Sequence, residues 1–305
     1  MNLLFRRSLA ITSIMLAYAT VVMPGAAVAG GGRGIEVALP AYVFPGDPFL
    51  NDLKDPAKTP VPPSVIIVNI ANGDGDVSIL DRDADILRSR VAANGEHVKV
   101  IGYVYTSNGN RPDANIRASI DRYLTPRNGK VHYDGIFFDE GTRECGPTPG
   151  SMAWRDKYRA LREYVWSKIP TMSDLVAINI GTAVSSCYLE QGREAADVFV
   201  TFEGTADHYL TDAANVGWAY GWVGGNVIVN GQYSLGTQYD SSRFWHLVYD
   251  VRNSNWAAMV NTAFARHAGY IDATDDHYTS TWLNPWDKKP SFLSDLIDYA
   301  NIQGE

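Results

Sequence analysis

The sequence predicts a single-domain α/β protein built as a (β/α)8 barrel. Three observations carry that expectation. Eight short runs are β-branched or aromatic and almost continuously apolar, which is how parallel strands buried on both faces read. Several intervals between them repeat apolar residues at the helical period. The alternation extends through about 250 residues, the length of one such barrel, with no internal repeat, low-complexity tract or linker to divide it.

The runs are Glu36–Val43, Val65–Asn69, Val98–Val104, Gly135–Asp139, Leu175–Asn179, Val198–Phe202, Phe244–Tyr249 and Ala268–Asp272. Helical stretches are expected over Asp83–Ala93 (Ile86, Leu87, Val91 on one face), Ala114–Tyr123 (Ile116, Ile120, Tyr123), Met152–Lys168 (Tyr158, Leu161, Val165) and Trp256–His267 (Val260, Phe264). Two intervals break the pattern. Asp47–Pro63 holds five prolines and reads as an ordered loop. Gly204–Gly236 is rich in Gly and Trp, and its Val227-Ile228-Val229 reads as an extra strand.

Residues 1–29 read as a secretory leader. Arg6 and Arg7 precede an apolar run from Leu9 to Met23, and Ala27-Val28-Ala29 is a small-x-small cleavage site. The run is too short for a membrane anchor, so no stable span is expected once it is removed. The barrel domain is then 30–305, secreted or periplasmic, and expected to be a monomer. Loss of the two arginines takes the formal net charge from −8 to −10. That balance argues against a nucleic-acid partner, which needs a basic surface. The two cysteines, Cys145 and Cys187, lack metal-like spacing and would meet an oxidising compartment, so a disulfide is expected. No zinc signature, P-loop or dinucleotide fingerprint appears, and neither a metal nor an organic cofactor is expected.

In a barrel of this kind active sites lie at the carboxyl ends of the strands. Reading those ends gives Tyr42, Asn69, Tyr103, Asp139 with Glu140, Asn179, Glu203, Tyr249 and Asp272, with His246 inside the seventh run. Polar groups are costly to bury unless they serve one another or a ligand. Cleavage of a glycosidic bond needs two carboxyl groups, one to protonate the leaving oxygen and one to attack or to activate water. Asp139 and Glu203, on near-neighbour strands, are the natural pair, and Glu140 is expected at the rim. Each residue also has a structural reading. Asp139 could cap a helix, Asp272 could join an ion-pair network, and Tyr42 and Tyr103 could pack the barrel top. His246, between Trp245 and Leu247, fits a core histidine as well as a sugar contact.

These segments resemble the spherulin 4 family, also called spherulation-specific family 4. The resemblance rests on Leu39-Pro40-Ala41-Tyr42-Val43-Phe44-Pro45, Val65–Asn69 leading to Gly73-Asp74-Gly75, and Val100–Thr106. It continues through Asp134-Gly135-Ile136-Phe137-Phe138-Asp139-Glu140, Asn179-Ile180-Gly181-Thr182, Phe202-Glu203, and Trp245-His246 with Val248-Tyr249, in family order. It implies a (β/α)8 glycoside hydrolase acting on α-1,4-linked galactosaminoglycan, a polymer of galactosamine and N-acetylgalactosamine. It also implies that Asp139 and Glu203 are the catalytic acids with Glu140 close by; from the strand-end reading, Tyr42, Asn69, Tyr103, Asn179, His246, Tyr249 and Asp272 are the candidate substrate contacts. Three segments depart from the family pattern, at Asn69-Ile70-Ala71-Asn72, Thr106-Ser107-Asn108-Gly109 and Asp272-Ala273-Thr274-Asp275. All fall on substrate-facing loops. The competing expectation is a non-catalytic carbohydrate-binding or cell-surface barrel.

Overall fold

The structure is a computed structural model that describes residues 34–169, 175–211, 221–278 and 284–302. The expected leader lies outside the described residues. Among the described residues there are eleven strands: β1 (Glu36–Ala41), β2 (Val65–Val68), β3 (Lys99–Tyr105), β4 (Gly135–Asp139), β5 (Leu175–Asn179), β6 (Val184–Ser185), β7 (Val198–Thr205), β8 (Val227–Val229), β9 (Gln232–Ser234), β10 (Phe244–Tyr249) and β11 (Tyr270–Ala273). Eight close into a parallel barrel in the order β1-β2-β3-β4-β5-β7-β10-β11, with β11 pairing back onto β1. All eight apolar runs are barrel strands. The remaining three strands form a small sheet, β6-β8-β9. There the hairpin β8–β9 turns through Asn230-Gly231, both at positive φ as a tight two-residue turn demands.

Among the described residues seven α-helices cover the barrel: α1 (Pro48–Lys54), α2 (Asp81–Arg88), α3 (Asp113–Leu124), α4 (Ala153–Lys168), α5 (Ala206–Leu210), α6 (Trp256–Ala265) and α7 (Leu293–Ile302). After β5 a single 3-10 turn, Ser186–Leu189, takes the place of a helix. The segment expected as a loop at Asp47–Pro63 begins with α1. Pro48 occupies the first helical position, where its missing N–H is harmless, and Asp47 caps the end by accepting from the Phe49 amide. Phe49, Leu50 and Leu53 are the buried face. Conversely, α2 stops at Arg88, short of the expected Ala93. The chain there folds back through Asn94-Gly95, with the Ala92 amide bonded to Glu96 O, and Val91 bridging His97. Helix α6 ends two residues early because His267 enters the left-handed region (φ 61°) and the Ala268 amide reaches back to Ala263 O.

Two apolar layers result. Inside the barrel Val65, Ile67, Ile101, Phe137, Ala177, Val200, Trp245 and Leu247 pack into an apolar plug. Outside it, residues such as Ile116, Ile120, Tyr158, Leu161 and Val165 bind the helices to the outer faces of the strands. Cys145, after β4, and Cys187, after β5, are disulfide-bonded with their Cα atoms 6.1 Å apart, which ties two neighbouring loops at the same barrel end. Among the described residues no helix is long and apolar enough to cross a membrane.

The outer layer leaves no slack at Gly102 on β3. A Cβ there would stand 2.4 Å from the ring of the fully buried Tyr123 of α3. Gly102→Ala is expected to lower stability by about 1–3 kcal/mol, as overpacking does. Urea denaturation should show a lower midpoint with an unchanged slope; an unchanged midpoint would contradict this packing.

Candidate active site

Above the plug, inward-facing side chains at the strand ends become polar. Phe137 of β4 points into the barrel, so strand alternation also turns Asp139 inward and leaves Glu140 on the rim. Asn179 reaches the same level from β5. Its Nδ2 donates to Asp139 Oδ1 at 2.8 Å and to Glu203 Oε2 at 2.6 Å. The two N–H groups of one amide therefore link the two carboxyls, and this fixes which way round the amide sits, because its oxygen between two carboxylates would be repelled. Tyr103 of β3 donates its hydroxyl to the other oxygen of Asp139, at 2.5 Å. Tyr42 stands edge-on to Tyr103, with ring centroids 5.4 Å apart.

Glu203 reaches this level through an irregularity. Between β7 and β10 the register pairs Trp245 with Val200 but His246 with Phe202, so Thr201 is an extra residue. This β-bulge breaks the period-two alternation. Val200 faces in, Phe202 packs outside the barrel, and Glu203 faces in. An unbroken strand would bring Phe202 inside and send Glu203 out. On the β5 side the amides of Ile180 and Gly181 both converge on Val200 O, and the Glu203 amide bonds Gly181 O.

These residues floor an open cleft of about 620 Å³. Its walls are Tyr42, Phe44, Asn69, Ala71, Asn72, Glu140, Tyr249, Tyr278, Asn284, Pro285 and Trp286. The Asn69–Asp74 wall is held from behind by Asp74, which accepts from Arg111, Arg122 and Ser119. Gly73 presses on the backbone of Tyr103, where a Cβ would lie 2.3 Å from the Tyr103 carbonyl oxygen. Glu140 is exposed and adopts a left-handed φ of 52°. Its carbonyl accepts from Asn108 N and Thr106 Oγ1.

Burial raises the pKa of both acids. For Glu203 burial is joined by the nearby charge of Asp139, and the carboxyl is pushed up to about 7 against the bonds from Asn179 and Trp286. Asp139 is also raised by burial, but Tyr103, the Glu140 amide and Asn179 all donate to it and favour its ionised form. The environment thus favours the protonated form of Glu203, while the donors around Asp139 favour its anion. Glu140 is raised by burial and by Asp139. Tyr249 is pushed up to about 12, by burial first and then by Glu203.

The structure brings together Tyr42, Asn69, Tyr103, Asp139, Glu140, Asn179, Glu203 and Tyr249. Two expected substrate contacts are corrected. His246 lies on the outer face of β10, fully buried, bonded to Tyr209 and Asn226 and away from the cleft, because the neighbouring Trp245 takes the inward direction. Asp272 faces inward between the outward Ile271 and Ala273, but it is 2% exposed and does not line the cleft. Its burial raises its pKa well above the usual carboxylate value. Trp286 was not expected. It comes from the loop after β11, bonds Glu203 through its side chain, accepts from the Tyr42 amide through its carbonyl, and packs edge-on to Tyr249. The dense Trp282-Leu283-Asn284-Pro285-Trp286 cluster was its only sequence signal. Among the described residues no group of three or more His, Cys, Asp or Glu side chains is placed to hold a metal ion.

The profile described as spherulation-specific family 4 matches residues 36–300. The chain belongs to this family. Spherulation-specific family 4 membership covers every barrel strand and every cleft residue named above. Among solved structures, that of Aspergillus clavatus Sph3 in complex with GalNAc is similar, with 20% identity, a TM-score of 0.65, and coverage of 89% of this chain and 99% of that one. The glycoside hydrolase domain of PgaB (BpsB) from Bordetella bronchiseptica is more distant, with 12% identity, a TM-score of 0.47, and coverage of 79% and 94%. The first likeness establishes the shared barrel. No curated protein matches the chain.

Glu203 links the site to stability. Its folded-state pKa of about 7 exceeds the ordinary 4.5, so the fold favours its protonated form. That contribution is complete below the ordinary value and is lost as pH rises through about 7. Glu203→Gln, which carries no charge, escapes the loss. Its thermal midpoint is expected to exceed that of wild type at about pH 8 and to converge with it in acid. Parallel curves across this range would contradict the raised pKa.

Proposed function

We propose that this protein is an exported glycoside hydrolase that cleaves an amino-sugar polysaccharide, with α-1,4-linked galactosaminoglycan as its substrate. The observation that carries this reading is the single Asn179 amide joining the two cleft-floor carboxyls of Asp139 and Glu203. Family membership supports it, and so does the GalNAc held by the similar Sph3 barrel. The Cys145–Cys187 disulfide fits an oxidising compartment.

The geometry favours retention of configuration. Both carboxyl oxygens bond one nitrogen, so they stand at most about 5.4 Å apart, within the spacing of retaining enzymes and short of inverting ones. In the first step the Glu203 proton passes to the glycosidic oxygen as the C–O bond breaks, and an Asp139 oxygen bonds the anomeric carbon. The leaving chain departs with a new hydroxyl. In the second step Glu203, now ionised, takes a proton from water. The water oxygen bonds the anomeric carbon, and the ester to Asp139 breaks. Tyr103 and Asn179 stabilise the Asp139 carboxylate as it leaves, and they hold it ionised beforehand. Glu140 and the aromatic walls contact neighbouring sugar units, and the negative floor suits a chain that bears free amines.

Asp139→Asn and Glu203→Gln are each expected to lower kcat on galactosaminoglycan by about 10²–10⁴-fold in a reducing-end assay. The alkaline limb of kcat/KM for wild type should fall near pH 7, where Glu203 loses its proton. Equal activity in all three proteins would overturn the proposal.

A further inference from the structure

The inward direction of Glu203 depends on where Phe202 goes, and Phe202 goes to an aromatic site outside the barrel. Its ring lies 4.6 Å from that of Tyr209 and 6.2 Å from that of His246. Trp222 closes the far side of His246 at 5.3 Å. The His246 ring is not free to turn. Asn226 Nδ2 donates to the carbonyls of Leu235 and Arg266, which leaves Asn226 Oδ1 as an acceptor. That oxygen takes the Thr201 hydroxyl at 2.7 Å and His246 Nε2 at 2.9 Å. His246 Nε2 therefore carries the proton, and Nδ1 accepts from the Tyr209 hydroxyl at 2.6 Å. Burial and the Arg266 charge push the imidazole pKa down to about 3, so the ring is neutral and this tautomer persists. Every member is buried: Thr201 is 1% exposed, and Tyr209, Asn226 and His246 are 0% exposed.

One amide oxygen thus ties the bulged residue itself to the ring that receives Phe202. A buried network with every donor and acceptor matched has a single low-energy arrangement, and altering one member disturbs the rest. A phenylalanine at 246 would fill the same space without fixing the ring plane or bonding Asn226.

We propose that Thr201, Asn226 and His246 are positioning residues that lock the β7 bulge from outside the barrel, hold Phe202 out and so turn the Glu203 carboxyl into the cleft. The catalytic consequence rests on the proposed hydrolase function; the structural one does not. The device explains a histidine in the middle of a barrel strand that touches no substrate. It also places control of the acid on the far side of the sheet from the chemistry.

The test uses the full mature protein with Thr201→Val, Thr201→Ser and His246→Phe. Two readouts are taken: kinetics on galactosaminoglycan, and an NMR titration of Glu203 in protein labelled with ¹³C at glutamate carboxyls, assigned with Glu203→Gln. Thr201→Val and His246→Phe should lower kcat by tenfold or more with KM within about twofold of wild type. In both, the Glu203 titration should move from near 7 towards its ordinary value, and Thr201→Ser should restore both readouts. Should His246→Phe fail to fold, Thr201→Val, which exchanges one hydroxyl for a methyl, decides the matter. A wild-type Glu203 titration in folded Thr201→Val would overturn the inference. If wild type cleaves no galactosaminoglycan, the hydrolase proposal fails while the titration still decides this one.

Discussion

Two carboxyl groups placed side by side on a buried cleft floor repel each other unless one keeps its proton, and here the amide of Asn179 bonds both. The rest of the site distributes that asymmetry. Asp139 collects a phenol, an amide and a backbone N–H, and Glu203 collects the same amide and Trp286. More donors favour the ionised form of Asp139, and burial beside that charge favours the protonated form of Glu203. Beneath them the plug of Phe137, Trp245 and Leu247 is apolar.

The barrel presents these groups by two different means. Plain alternation suffices for Tyr103, Asp139 and Asn179, because each lies two residues beyond an inward apolar side chain on its own strand. Glu203 needs the inserted Thr201, which moves it from the outer to the inner face. The bulge in turn needs a home for Phe202, and the Tyr209–His246 pair supplies one. The positions of the acids therefore depend on packing on both sides of the sheet, and the carboxyl pair cannot be understood from the cleft alone.

Much of this was legible in the sequence. Eight apolar runs gave eight barrel strands because a strand covered on both faces has no polar face to confuse with a helix. Polar residues at their ends stood out because the interior below them is apolar. What the pattern hid has physical causes. Prolines at 48 and 56 masked α1, although Pro48 sits where proline suits a helix. His246 was read with the strand-end residues, yet Trp245 and Leu247 on either side of it face in, so the period-two alternation of β10 turns it outward. Asp272 has the right direction but sits below the floor. Trp286 belongs to a long loop with no periodicity, so nothing tied it to Glu203 before the chain was folded.

The most direct measurement is the configuration of the first product, followed by ¹H NMR as the protein cleaves α-linked galactosaminoglycan oligomers. On the proposed retaining mechanism, with Asp139 as nucleophile, the α-anomer should appear first and mutarotate to the mixture afterwards. Initial release of the β-anomer would mean that water attacks directly, and would contradict an account built on Asp139 and Glu203 sharing Asn179.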